Sequence, residues 1–168
     1  MATESSNLSL TAKFRGIIQK LMVNKKTSVS VGGAIIFKDS RGKRKYLLTK
    51  QNEEDNWEIP KITVRKGESS VRSVIRMSGE MAGLSVKVLE EAGRSSGVVT
   101  VNGKVLPQKY YYYLMVLKDG GSNPIGFFDA KWMDYSKTLK TLSLKREKNI
   151  FKDAKKILKE WEKQQKKK

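Results

Sequence analysis

Residues 60–84 read PKITVRKGESSVRSVIRMSGEMAGL, and this stretch decides the fold. It divides into a loop, a helix and a glycine stop. Lys66-Gly67 is a turn pair. Glu68 with Ser69 and Ser70 suits a helix start, where side-chain oxygens satisfy free backbone N–H groups. Val71, Val74, Ile75 and Ser78 recur at helical spacing and give one apolar face. Gly83 stands where a left-handed residue ends a helix. The spacing predicts a helix over residues 68–82.

On either side of this helix the sequence alternates in the manner of strands. Residues 28–37, SVSVGGAIIF, have period two around Val29, Val31 and Ile35. The pair Gly32-Gly33 inside that strand marks a bulge or the close approach of another group. A turn over residues 39–44 and a return over 45–50 make a hairpin. Downstream, Val86–Leu89 reads as a strand, Arg94–Gly97 as a turn and Val98–Val101 as a further strand. Asn102-Gly103 is a strong hairpin signal. Lys109–Lys118, with four consecutive tyrosines, is β-prone and reads as a central strand. Tyr110 and Tyr112 share one side and Tyr111 and Tyr113 the other, so one pair faces the core and the other the sheet surface. Residues 127–132 form a strand, Tyr135–Leu142 a short helix, and Asn149–Trp161 a closing helix with Phe151, Ala154, Leu158 and Trp161 on one stripe.

Set against this order of elements, the 60–84 stretch resembles the Nudix box, G-x5-E-x7-R-E-U-x-E-E-x-G-U with U a bulky aliphatic. Glu68, Arg76, Glu80, Gly83 and Leu84 match. Ile62 stands for the first glycine, Met77 for the glutamate after the arginine, Ser78 for the aliphatic and Met81 for the last glutamate. Asn56–Pro60 resembles the family's W-E-x-P entry to the box, and Lys61 matches the lysine of P-K-G in the diadenosine-polyphosphate hydrolase-like branch. Asp129-Ala-Lys-Trp132 is similar to its late E-x-x-W element. The resemblance, to the Nudix hydrolase superfamily with a degenerate box, implies an α/β fold. That fold is an α/β/α sandwich with a mixed β-sheet.

The same resemblance implies hydrolysis of a nucleoside diphosphate linked to another group, with Mg²⁺ or Mn²⁺ held by box glutamates. Residues three and four apart share a helix face, so those carboxylates would converge on one point. Here only Glu80 remains of the three. Methionine is a soft, neutral thioether and a poor partner for a hard cation. If the chain is active, the resemblance makes Glu80, Arg76 and Glu68 catalytic and Glu80 with Asp129 the metal ligands. If it is not, Met77 and Met81 form an apolar ridge where the metal would lie, and no cofactor is expected. Lys61 and Arg65 are candidates to hold phosphates, and Tyr110 and Tyr112 are candidates for a nucleobase platform. The bland reading of the same residues is structural: Glu68 favours the helix dipole, Arg76 pairs with Glu80, and the methionines pack.

Composition narrows the function classes. The chain has 168 residues with 35 Lys plus Arg against 17 Asp plus Glu, a net charge of +18. Such an excess attracts polyanions, so RNA, a ribonucleoprotein or a nucleotide is the expected partner; a generally lysine-rich surface is the alternative. With neither Cys nor His, the sequence excludes disulfides, zinc sites, catalytic thiols and histidine bases. No apolar run approaches a membrane span and the first residues do not resemble a secretory signal, so a cytoplasmic location is expected.

The expected organisation is a tail with an amphipathic helix over residues 1–27, a Nudix-like domain over 28–162 and a basic tail over 163–168. Phe14, Ile17, Ile18 and Leu21 define the N-terminal apolar stripe, which either docks on a partner or folds onto the domain. The leading functional expectation is a catalytically degenerate domain acting as a basic binding module. The alternative is a metal-dependent pyrophosphohydrolase working with fewer carboxylates.

Overall fold

The computed structural model describes residues 27–120 and 125–168. The N-terminal amphipathic helix expected around Phe14–Leu21 lies outside them. Among the described residues six strands and three helices run in the order β1 (Val29–Ser40), β2 (Lys43–Lys50), β3 (Lys61–Thr63), α1 (Ser70–Ala82), β4 (Leu84–Val101), β5 (Lys104–Gly120), β6 (Asp129–Met133), α2 (Tyr135–Thr141) and α3 (Lys145–Lys166). One mixed sheet runs β4-β5-β1-β2-β6, with β3 against β1. β1 and β5 are parallel, and the remaining pairs are antiparallel.

Alternation along the strands sends side chains to two cores. On one face Tyr46, Leu48, Tyr112 and Leu114 pack with Phe151, Ala154 and Leu158 of α3. On the other Ala34, Ile36, Leu47 and Met115 pack with Val74, Met77 and Ala82 of α1. The sheet therefore lies between helices, as the α/β/α expectation requires.

The paired glycines explain how closely these layers approach. A Cβ on Gly32 would stand 2.5 Å from Ser73 Oγ and 2.8 Å from Val74 Cγ1 of α1. One on Gly33 would stand 2.5 Å from the Tyr112 ring on the opposite face. Gly32→Ala is expected to push α1 off the sheet and lower stability by about 1–3 kcal/mol, the usual penalty of overpacking. Denaturant unfolding measures it, and an unchanged midpoint would contradict the close approach.

Three local expectations are corrected. The turn expected at Arg94–Gly97 is uninterrupted strand, because irregularities between Val88 and Glu90 and between Glu91 and Gly93 absorb the extra residues. The real turn is Asn102-Gly103, with φ of 50° and 75°, the left-handed pair a tight hairpin needs. The closing helix begins at Lys145 and continues to Lys166, through most of the expected basic tail. Lysine, glutamate and glutamine are good helix formers, and late lysines complement the dipole.

The third correction concerns α1. Its buried residues are Ser73, Val74, Met77, Ser78 and Ala82, while Ile75 is exposed. The buried face is thus rotated away from the Val71–Ile75 side. Gly32 leaves room only for small groups at the crossing, so Ser73 and Val74 rather than the bulkier Ile75 meet the sheet. The caps behave as read: Ser69 Oγ accepts from Arg72 N–H, and Gly83 is left-handed with φ 62°.

Candidate functional site

The residues of the 60–84 stretch are assembled by α1 and the loop before it. Glu68 receives Arg76 in a two-pronged ion pair, Nε to Oε1 at 2.8 Å and Nη2 to Oε2 at 3.1 Å. It also accepts the Arg65 backbone N–H at 3.0 Å. The Arg76 guanidinium, and secondarily that N–H, hold the Glu68 carboxyl down at about 2. Its contribution to stability is therefore present above the ordinary carboxylate range and lost as pH falls through about 2. An NMR titration of Glu68 is expected to show a midpoint near 2 that moves up towards the ordinary carboxylate value in Arg76→Met. A midpoint unmoved by that substitution would refute the ion-pair origin.

Glu80 lies on the outer side of the same helix. Its side chain is 60% exposed and stands 3.7 Å from Arg76 Nη1. Met77 is 1% exposed in the core between α1 and the sheet. Met81 packs against that core, and Gly126 lies so close that a Cβ there would stand 2.4 Å from Met81 Cβ. The Gly126 N–H donates to the Met81 carbonyl at 2.8 Å, pinning the segment that carries Phe127 over the end of α1. Asp129, at the start of β6, accepts the Ala130 N–H at 2.7 Å and pairs in register with Lys50. Among the described residues no three acidic side chains gather around a point. A buried thioether, a packed thioether and one outward carboxylate do not fit a cluster of hard divalent cations, which needs several converging oxygens.

Lys61 is placed in a buried polar network that the sequence reading missed. Its Nζ donates to Glu58 Oε2 at 2.8 Å, to the Ile59 carbonyl at 3.2 Å and to Glu147 Oε1. Glu147 is fully buried and also accepts the Ile59 N–H and the Tyr112 hydroxyl, both at 3.2 Å. The signal available in the sequence was an acid in the first turn of an amphipathic helix, which ordinarily reads as a dipole partner. Arg65, by contrast, has an exposed side chain.

The expected tyrosine platform is also corrected. Tyr110 and Tyr112 are buried under α3, stacked with ring centroids 6.3 Å apart. Burial, and then the Glu147 charge, push the Tyr112 hydroxyl well above its usual range. The half-buried pair is Tyr111 and Tyr113, on the α1 side. The Tyr113 hydroxyl meets Ser70 Oγ at 2.6 Å. Beside Tyr111 an open cavity of about 380 Å³ is lined by Arg94, Ser95, Ser96, Lys109, Tyr110 and Tyr111. The Arg94 guanidinium lies 5.2 Å from the Tyr111 ring centre.

Comparison with known proteins bears on this arrangement. No curated protein matches the sequence. Among solved structures, the C. elegans Ap4A hydrolase binary complex is similar with a TM-score of 0.64 and 21% identity, over 77% of this chain and 97% of that one. The NUDIX domain of Shewanella oneidensis NrtR, complexed with ADP ribose, is similar with a TM-score of 0.62 and 15% identity, over 83% and 97%. The E. coli dihydroneopterin triphosphate pyrophosphohydrolase follows with a TM-score of 0.59 and 11% identity, over 73% and 91%. At these identities the likeness is one of fold. The family model for the NUDIX domain matches residues 27–154, most of the chain, and the protein therefore belongs to the Nudix family.

Proposed function

We propose that this chain is a Nudix-fold binding module for RNA or another polyanion, without the family's metal-dependent hydrolysis. One observation carries the reading. Of the three carboxylate positions in the box, one is the core residue Met77, one is Met81 under the Gly126 segment, and the third, Glu80, is turned outward towards Arg76. Hydrolysis of a phosphoanhydride needs charge stabilisation placed where charge develops, and a neutral apolar ridge supplies none. The fold then remains as a scaffold, and the net charge of +18 supplies attraction for phosphates.

The test has two arms. A nucleotide-hydrolysis screen with Mg²⁺ and with Mn²⁺, run beside Glu80→Gln, is expected to show no turnover that depends on Glu80. Filter binding to RNA over a salt series is expected to show affinity that falls steeply as salt rises. Metal-dependent turnover abolished by Glu80→Gln would instead establish a hydrolase with a reduced carboxylate set. Absent or salt-insensitive RNA binding would remove the binding-module reading.

A further inference from the structure

The β4–β5 hairpin is longer than the sheet that supports it. β1 begins at Val29, opposite Gln108, so β5 before that point and the paired end of β4 have no neighbour in β1. The register from Arg94↔Tyr111 to Val101↔Lys104 is regular. Alternate residues therefore keep to one face, and the part of β4 that passes beyond β1, Val98–Val101, spans about 13 Å at ~3.3 Å per residue. The face is fixed by Gly32, which pairs with Tyr111 and meets α1 on the same side. On the α1 side stand Tyr111, Arg94, Lys109 and Ser96 at the base, then Val98, Pro107 and Val105 towards the tip.

This face combines features that single strands use. Val98 and Val105 are 72% and 67% exposed, which is unusual for paired β-branched residues. Residues 94–111 include Arg94, Lys104 and Lys109 and no Asp or Glu. The closest carboxylate in sequence, Glu91, is already gripped by Arg94 at 2.6 and 3.1 Å. The cavity at the base holds a guanidinium against a tyrosine ring. On the other side of the same base, the Arg146 guanidinium lies 4.1 Å from the Tyr110 ring centre and adds positive charge.

We propose that the α1-side face of this arm is a platform for single-stranded nucleic acid. A base stacks in the Tyr111–Arg94 cavity, further bases lie on the Val98–Pro107–Val105 strip, and Lys109 meets the phosphates. The proposal rests on the polyanion reading above and assigns that binding a place. Such a site tolerates sequence, because every base offers a π-face, and prefers unpaired strands, because a duplex hides those faces.

The experiment is fluorescence anisotropy of the full chain with a short labelled oligouridine, competed by duplex RNA and by uridine monophosphate. Tyr111→Leu is expected to weaken oligouridine binding by about ten-fold or more. Lys109→Gln is expected to reduce the slope of log affinity against log salt by about 0.7. Lys163→Gln with Lys166→Gln, on the end of α3, is the control and should leave oligouridine affinity within two-fold, roughly the scatter of such measurements. If the wild type binds but both arm variants bind as tightly, the platform is overturned and the binding-module reading survives. Competition by duplex RNA or by the mononucleotide equal to that by the oligomer overturns it as well. If Tyr111→Leu and Val105→Asp lower the melting temperature and leave binding unchanged, the face is covered by the chain itself, and the platform is again overturned. A wild type that binds no RNA overturns both the platform and the function on which it rests.

Discussion

Glu147→Ala is expected to cost about 3–5 kcal/mol of folding stability, the usual penalty for removing one member of a buried ion pair. The carboxylate is fully buried and serves three donors at once: Lys61 Nζ, the Ile59 N–H and the Tyr112 hydroxyl. Removing it leaves the Ile59 N–H and the Tyr112 hydroxyl without that acceptor in the core, and Lys61 with only Glu58 and the Ile59 carbonyl. The network joins three elements distant in sequence, since it ties the β3 entry, β5 and α3 together. Urea unfolding measures the loss. Lys61→Met is expected to destabilise for the mirror reason, by stranding the carboxylate. The double variant Lys61→Met, Glu147→Leu is expected to recover the part of the loss due to a stranded buried charge, while the Ile59 N–H and the Tyr112 hydroxyl still lack their acceptor. Strict additivity of Lys61→Met and Glu147→Leu, each also measured alone, would contradict a coupled network.

Met77→Glu is the second large effect, about 3 kcal/mol or more at neutral pH. It restores the residue type of the family's box at a position that is 1% exposed among Ala34, Ile36, Val74 and Met115. A carboxyl in that setting is favoured in its protonated form, so its folded pKa rises above the unfolded value of about 4.3. Above that pH the unfolded chain binds fewer protons than the folded one, and stability falls as pH rises. The variant should therefore be nearest to wild type in mild acid and weakest above neutrality. Thermal melts across pH, with and without Mg²⁺, follow this directly. A Mg²⁺-dependent gain in melting temperature for Met77→Glu, Met81→Glu would mean that the box can be rebuilt as a metal site, which the packing of Phe127 and Gly126 argues against.

These two residues mark different limits of sequence reading. Met77 could be placed on the box helix from spacing alone, and its chemistry argued from its thioether. The depth of its burial depended on how α1 is rotated, and that was set by Gly32. The glycine pair was legible as a close approach; which groups approach, Ser73 and Val74 on one face and Tyr112 on the other, was not. Glu147 showed only as a first-turn acid, and its network stayed hidden, because its partners lie 35 to 88 residues away in sequence. The four tyrosines illustrate the same limit. Period two divides them into pairs with certainty, yet nothing local says which pair lies under α3.

The sequence by itself determined the box helix and its caps, the Nudix resemblance, the Asn102-Gly103 turn and the methionines at positions 77 and 81. Each is carried by local spacing or by residue chemistry, which need no knowledge of distant partners. The tertiary structure alone decided the rotation of α1, the fate of Lys61, the continuity of β4 through Arg94–Gly97 and the exposed face of the hairpin arm. Those depend on packing between segments far apart in the chain, where a missing Cβ or a single buried carboxylate outweighs local preference.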